Sequence, residues 1–162
     1  LFAEHCARDG DTRICAAPLV LWEPVVDGLA YFRELLRTNL ATQLAVYGEI
    51  RHDRDALHQI ILEGGRANVD GYEIALPLYE SCAVPDLLDG PRLHDGPVLV
   101  CGISPVESAK QRDGLTALSR HYHRGEYQHI AEQAFWKEIK QFMSLAEPLQ
   151  IATVQWLERA GE

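Results

Sequence analysis

The sequence lacks most of the features that would declare its chemistry at once. Only four of its 162 residues are cysteine, and Cys6, Cys15, Cys82 and Cys101 show no C-x-x-C spacing. A chain this long and this poor in cysteine does not rest on a disulfide scaffold. A reducing, cytoplasmic compartment is expected, and each thiol reads as a small buried residue. No apolar run approaches the roughly 18 residues that cross a bilayer. The longest candidate, 16–26, is interrupted by Glu23 and Pro24, and Glu4, His5 and Arg8 break any secretory signal at the start. Basic residues are scarce: 15 Lys and Arg face 24 Asp and Glu, a net charge of -9. That balance argues against nucleic-acid binding by bulk electrostatics. There is no G-x-G-x-x-G, no G-K-[ST] ending, no H-E-x-x-H and no Cys/His zinc spacing, so neither a cofactor nor a metal is expected. The densest histidine cluster, His121, His123 and His129, reads as a solvated helix end and a strand residue.

What is present is ordinary for a globular domain, at 47% hydrophobic and 24% charged residues. Leu1, Phe2 and Cys6 suggest one face of an opening helix, as though a segment precedes it. Residues 18–22 form a short continuous apolar run, the mark of a strand buried on both faces. Asp27 is a natural N-cap, and Leu29, Phe32, Leu35, Leu36, Leu40 and Leu44 recur at helical spacing to about Val46. A second helix is predicted over 53–62, with Gly64-Gly65 as its stop. A short strand or a hairpin is predicted over 67–74, around Asp70-Gly71, and a helix over 76–88 broken at Pro77 and Pro85. A second apolar run covers 97–102, a helix follows over 107–122, and a third strand is predicted over 127–132. The final helix carries Ile139, Phe142, Leu145, Leu149, Ile151, Val154 and Leu157, with a break near Pro148.

Short buried strands alternating with helices argue for a parallel α/β sheet. The strands at 19–22, 98–101 and 127–130 are expected side by side in that order. The stretch 27–95 is too long for a normal crossover and reads as a mainly helical cap or lid within a single domain of 1–162.

This order is similar to the carboxyl-side half of the α/β-hydrolase fold. The run from Leu19 through Trp22-Glu23-Pro24-Val25-Val26-Asp27-Gly28, with Tyr31 and Leu35-Leu36-Arg37, resembles the exosortase A system-associated hydrolases. So do Gly71-Tyr72 and Ala134-Phe135-Trp136 leading into Glu138-Ile139. The resemblance implies a bacterial cytoplasmic protein of an exosortase and exopolysaccharide system. It implies an ester, thioester or other acyl substrate for the parent protein.

A serine hydrolase needs a nucleophile, a base, an acid that orients the base, and an oxyanion hole. No G-x-S-x-G elbow occurs, so the chain as given is expected to be catalytically incomplete. Ser104, after the second apolar run, reads as a turn or capping serine. Glu107 is the candidate acid, although Ser104 and Glu107 also satisfy the S-x-x-E capping box. His129 is the candidate base, although it lies within its strand. The resemblance puts the catalytic histidine near Gln133 or Ala134, which cannot shuttle a proton. A non-catalytic binding or scaffold protein is the alternative. The strand at 19–22 is expected at the edge of the sheet with one side open, and because it lacks the usual protection of an edge the chain is expected to self-associate.

Overall fold

The computed structural model describes residues 16–69, 71–83, 86–89, 94–134, 136 and 146–161. The expected opening helix, the break at Pro85, and Ile139, Phe142 and Leu145 lie outside them. The chain divides into two compact units, Asp27–Asp89 and the remainder.

In the remainder, β1 (Leu19–Trp22), β4 (Val98–Ile103) and β5 (Gly125–Ile130) form a three-stranded sheet in the order β1-β4-β5. Both pairings are parallel, with Leu19 opposite Val98 and Val98 opposite Gly125. The sheet is the expected α/β arrangement. All six residues of β4 are buried, which explains its unbroken apolar sequence. Side chains alternate along a strand. Leu99, Cys101 and Ile103 pack with Leu149 and Trp156 of α5 (Glu147–Ala160). On the other face, α4 (Ala109–His121) runs against β4 and β5. Gly102 belongs to that face and has no room for a side chain. A Cβ there would stand 2.7 Å from the Tyr127 hydroxyl and 3.1 Å from Leu115.

The first strand takes the expected edge position among the described residues but differs from expectation in its burial. Among the described residues β1 pairs with β4 alone, and it is half-buried rather than buried, with Trp22 45% exposed. The third strand begins two residues earlier than predicted and stops at Ile130. Pro148 does not break the final helix. It sits in the first turn, where a missing N–H costs nothing, and Glu132 accepts the free Leu149 N–H at 3.1 Å.

The Asp27–Asp89 unit is built from α1 (Gly28–Tyr47), α2 (Arg54–Leu62), the antiparallel hairpin β2 (Arg66–Val69) and β3 (Tyr72–Ala75), and α3 (Leu76–Ala83). Asp27 and Asp53 cap their helices, each accepting an N–H three residues on at 2.8 Å. Gly48 ends α1 in the left-handed region at φ 71°, the conformation glycine adopts without strain. Phe32, Leu36, Leu57, Ile61, Ala67, Val69, Ile74 and Ala83 make the core. Pro77 falls in the first turn of α3 and does not interrupt it.

The buried stripe of α1 departs from the apolar pattern. It runs through Phe32 and Leu36 into Asn39 and Gln43, while Leu44 is exposed. Gln43 explains this. Its Oε1 accepts the Arg51 and His52 N–H groups at 2.9 and 3.0 Å, and its Nε2 donates to Asn39 Oδ1 and the His52 carbonyl. The loop after α1 is tied down by a buried amide, and that position cannot be leucine.

No helix among the described residues is long and apolar enough to cross a membrane. Cys101 is buried as expected, but Cys82 is exposed, because α3 presents it outward from a one-sided helix.

Candidate functional site

Parallel sheets collect chemistry at the carboxyl ends of their strands, where loops leave the packed layer. In the sheet unit those ends hold Glu23 after β1, Ser104 after β4 and His129 at the penultimate position of β5. All three are half-buried.

Glu23 has a φ of 43°, a left-handed conformation uncommon for a residue with a side chain. Two hydrogen bonds hold it there. Its N–H donates to the Cys101 carbonyl at 2.8 Å, and its carboxylate accepts the Ile103 N–H at 2.6 Å. Gln111, in the first turn of α4, donates its Nε2 to both carboxylate oxygens at 2.9 Å. A carboxylate can only accept, so this contact fixes which end of the amide is nitrogen. The other end, Oε1, faces the Ser104 hydroxyl at 3.0 Å.

The direction of the remaining bonds follows. The Ser104 hydroxyl has two acceptor-only neighbours, Gln111 Oε1 and the Val106 carbonyl at 3.1 Å. Its proton therefore points away from His129. The third neighbour, His129 Nε2 at 3.1 Å, must be the donor. Nε2 also lies 3.1 Å from the Ser104 carbonyl, which only accepts. Both contacts require the Nε2–H tautomer in the neutral ring. No described residue hydrogen-bonds to His129 Nδ1. With the Ser104 proton on Gln111, the shorter of its two acceptor contacts, the bonds form one directed chain: His129 to Ser104, Ser104 to Gln111, Gln111 to Glu23.

A cavity of about 320 Å³ adjoins this chain, lined by Glu23, Pro24, Val26, Lys110, Gln111 and Leu115 among others. It pairs an apolar wall with a polar end, the usual form of a small-molecule site.

Glu107 and His129, the two candidates from the sequence, are not hydrogen-bonded to each other. Glu107 accepts the Tyr127 hydroxyl at 2.7 Å. Burial, that hydrogen bond, and the Glu107 and Glu23 charges push the Tyr127 phenol upward, offset in part by Arg112. The expected capping box at Ser104 and Glu107 does not form. Ser108 caps α4 instead, accepting the Gln111 N–H at 3.2 Å, and the Ser104 hydroxyl is taken up by Gln111, Val106 and His129. His121 ends α4 and His123 is exposed beyond it. Among the described residues no three His, Cys, Asp or Glu side chains are grouped to hold a metal ion. Burial, and secondarily the Glu126 charge, push the Cys101 thiol up to about 11, which leaves it a poor nucleophile.

Glu23 and Gln111 are the residues that sequence reasoning missed. Glu23-Pro24 reads as a strand terminator, and a glutamine on a polar helix carries no signal. The one available hint was the position of Glu23 at the carboxyl end of an apolar run. Comparison with family models, curated proteins and solved structures finds no match to this chain.

Proposed function

We propose that this chain is the carboxyl-side part of an α/β-hydrolase-like protein that acts on an ester, thioester or other acyl substrate in an exosortase-linked exopolysaccharide setting. One observation carries the reading. A histidine at the end of one parallel strand is hydrogen-bonded to a serine at the end of its neighbour, the edge at which hydrolases of this fold assemble their acid and base. The Asp27–Asp89 unit enters the sequence between the first two strands of the sheet, where such folds insert a cap. His129 is the base in this reading, and Ser104 is a positioning residue because its proton faces Gln111 or Val106 rather than the imidazole. The nucleophile is supplied from outside these 162 residues.

A second reading, a hydrolase-like binding protein without turnover, is favoured by the absence of a direct carboxylate partner on His129 among the described residues. A fluorophosphonate probe separates the two when applied to the full-length gene product. The enzyme reading expects a labelled serine other than Ser104, with ester turnover lost in His129→Ala. Absence of any labelled serine overturns it in favour of binding. Labelling of Ser104, with turnover lost in Ser104→Ala, overturns the assignment of roles.

A further inference from the structure

His129 meets no carboxylate directly, yet an uncommon backbone conformation holds a carboxylate at the far end of its hydrogen-bond chain. We propose that Glu23 is the positioning carboxylate of His129, acting through Gln111 and Ser104, and that Nδ1 is the nitrogen that works. In this role Glu23 stands where Glu107 was expected to stand.

A plainer account of Glu23 is that it satisfies the Ile103 N–H where β1 ends. That account uses one oxygen and one contact. It leaves unexplained why Gln111 holds both oxygens at 2.9 Å and why the same amide turns its carbonyl to the Ser104 hydroxyl at 3.0 Å. The chain accounts for both. The carboxylate orients the amide, the amide orients the hydroxyl, and the hydroxyl presents a lone pair to Nε2–H. Hydrogen bonds arranged head to tail polarise one another, so the anion's influence reaches the ring through two neutral groups. A ring held by its Nε2–H is fixed in tautomer and orientation, with the Nδ1 lone pair left to act, as with orienting carboxylates elsewhere.

The chemistry follows for the acyl site proposed above, on which this step rests. As an incoming water or alcohol attacks the acyl carbonyl carbon, its O–H bond breaks and the proton passes to Nδ1. The resulting imidazolium keeps Nε2–H on Ser104. The proton then goes from Nδ1 to the departing alkoxide or thiolate, which leaves His129 neutral and the proton count unchanged.

The test does not depend on turnover. Diethyl pyrocarbonate acylates neutral imidazole, and its rate on His129 can be followed by peptide mass spectrometry. Long-range ¹H–¹⁵N spectra give the tautomer. The wild type should show the Nε2–H tautomer. Gln111→Leu cuts the bridge and leaves Glu23 on the Ile103 N–H, so it separates the two accounts. It should slow acylation of His129 roughly fivefold, the effect of one lost hydrogen bond. Glu23→Gln should do the same, and the double variant should be no slower than the slower single. A merely structural role would loosen the strand ends and speed the reagent's access. A dominant Nδ1–H tautomer, or acylation unchanged or faster in Gln111→Leu with a native amide spectrum, would overturn the proposal. Loss of the acyl-enzyme reading alone would leave these results as they are.

Discussion

Two glutamines in this chain have opposite uses. Gln43, in the Asp27–Asp89 unit, is buried, and its amide is spent on the backbone of Arg51 and His52 and on Asn39. Every partner is neutral, and none can move a proton. Gln111, in the sheet unit, is half-buried and joins a carboxylate to a hydroxyl that touches an imidazole. The residue type is the same, but the ends of the bonds differ. A buried amide whose bonds close on backbone fixes a loop, whereas one that links ionisable side chains couples their chemistry. In the proposed reading, the Asp27–Asp89 unit is architecture and the strand ends of the sheet unit carry the chemistry.

The largest expected effects test whether the two units are separate. Leu36 and Leu99 are fully buried in different cores. Truncating either to Ala should cost about 3 kcal/mol. Hydrogen exchange should show the loss of protection concentrated in the unit that carries the change. Equal loss in both units would break the division.

Next come the two glutamines themselves. Gln43→Ala leaves two backbone N–H groups without their acceptor and should cost about 2 kcal/mol in a urea titration. It should leave the His129 resonances unmoved. Gln111→Ala should cost about 1 kcal/mol, since water can replace part of what it loses. It should shift the His129 ring resonances. The reverse pattern would erase the distinction between them.

Alkaline pH gives a smaller effect, localised to the sheet unit. The Cys101 thiol is pushed up to about 11 and the Tyr127 phenol is pushed in the same direction. Both ionise more readily in the unfolded chain. The stability they confer is whole below the ordinary thiol value and is lost as pH rises toward 11. The urea midpoint should therefore fall between pH 8 and 10.5. At pH 8, iodoacetamide should modify exposed Cys82 and spare Cys101 until the chain unfolds. Prompt modification of Cys101 in the native state would contradict its placement.

The smallest effects are at the helix caps. Asp27→Ala and Asp53→Ala should each cost about 1 kcal/mol, seen as a lowered urea midpoint. The Asp27 cap was legible in the sequence, because a cap is a local device read within three residues; Asp53 was read as the first residue of its helix and proves to be its cap. The hairpin at Asp70-Gly71 and the strand at 98–103 were legible for the same reason: turn chemistry and a continuous apolar run are local too. The parallel order of the strands followed from alternation with helices. What escaped was long-range. Glu23 meets Ile103 and Gln111 across 80 and 88 residues, and no spacing rule reaches that far. The capping box at Ser104 and Glu107 misled because a nearer serine, Ser108, takes the cap. The stripe on α1 misled because burial there selects an amide at Gln43, where periodicity suggests leucine at the next position.

The central claim is that substrate chemistry belongs to the carboxyl ends of the sheet. The most direct test is an NMR titration of the ¹⁵N-labelled chain with a hexylphosphonate monoester, a non-hydrolysable acyl mimic. Shifts concentrated at Glu23, Ser104, Gln111 and His129, with the Gln43 side-chain amide unmoved, are the predicted result. Saturable shifts centred on the Asp27–Asp89 unit, with the His129 ring unmoved, would contradict the account.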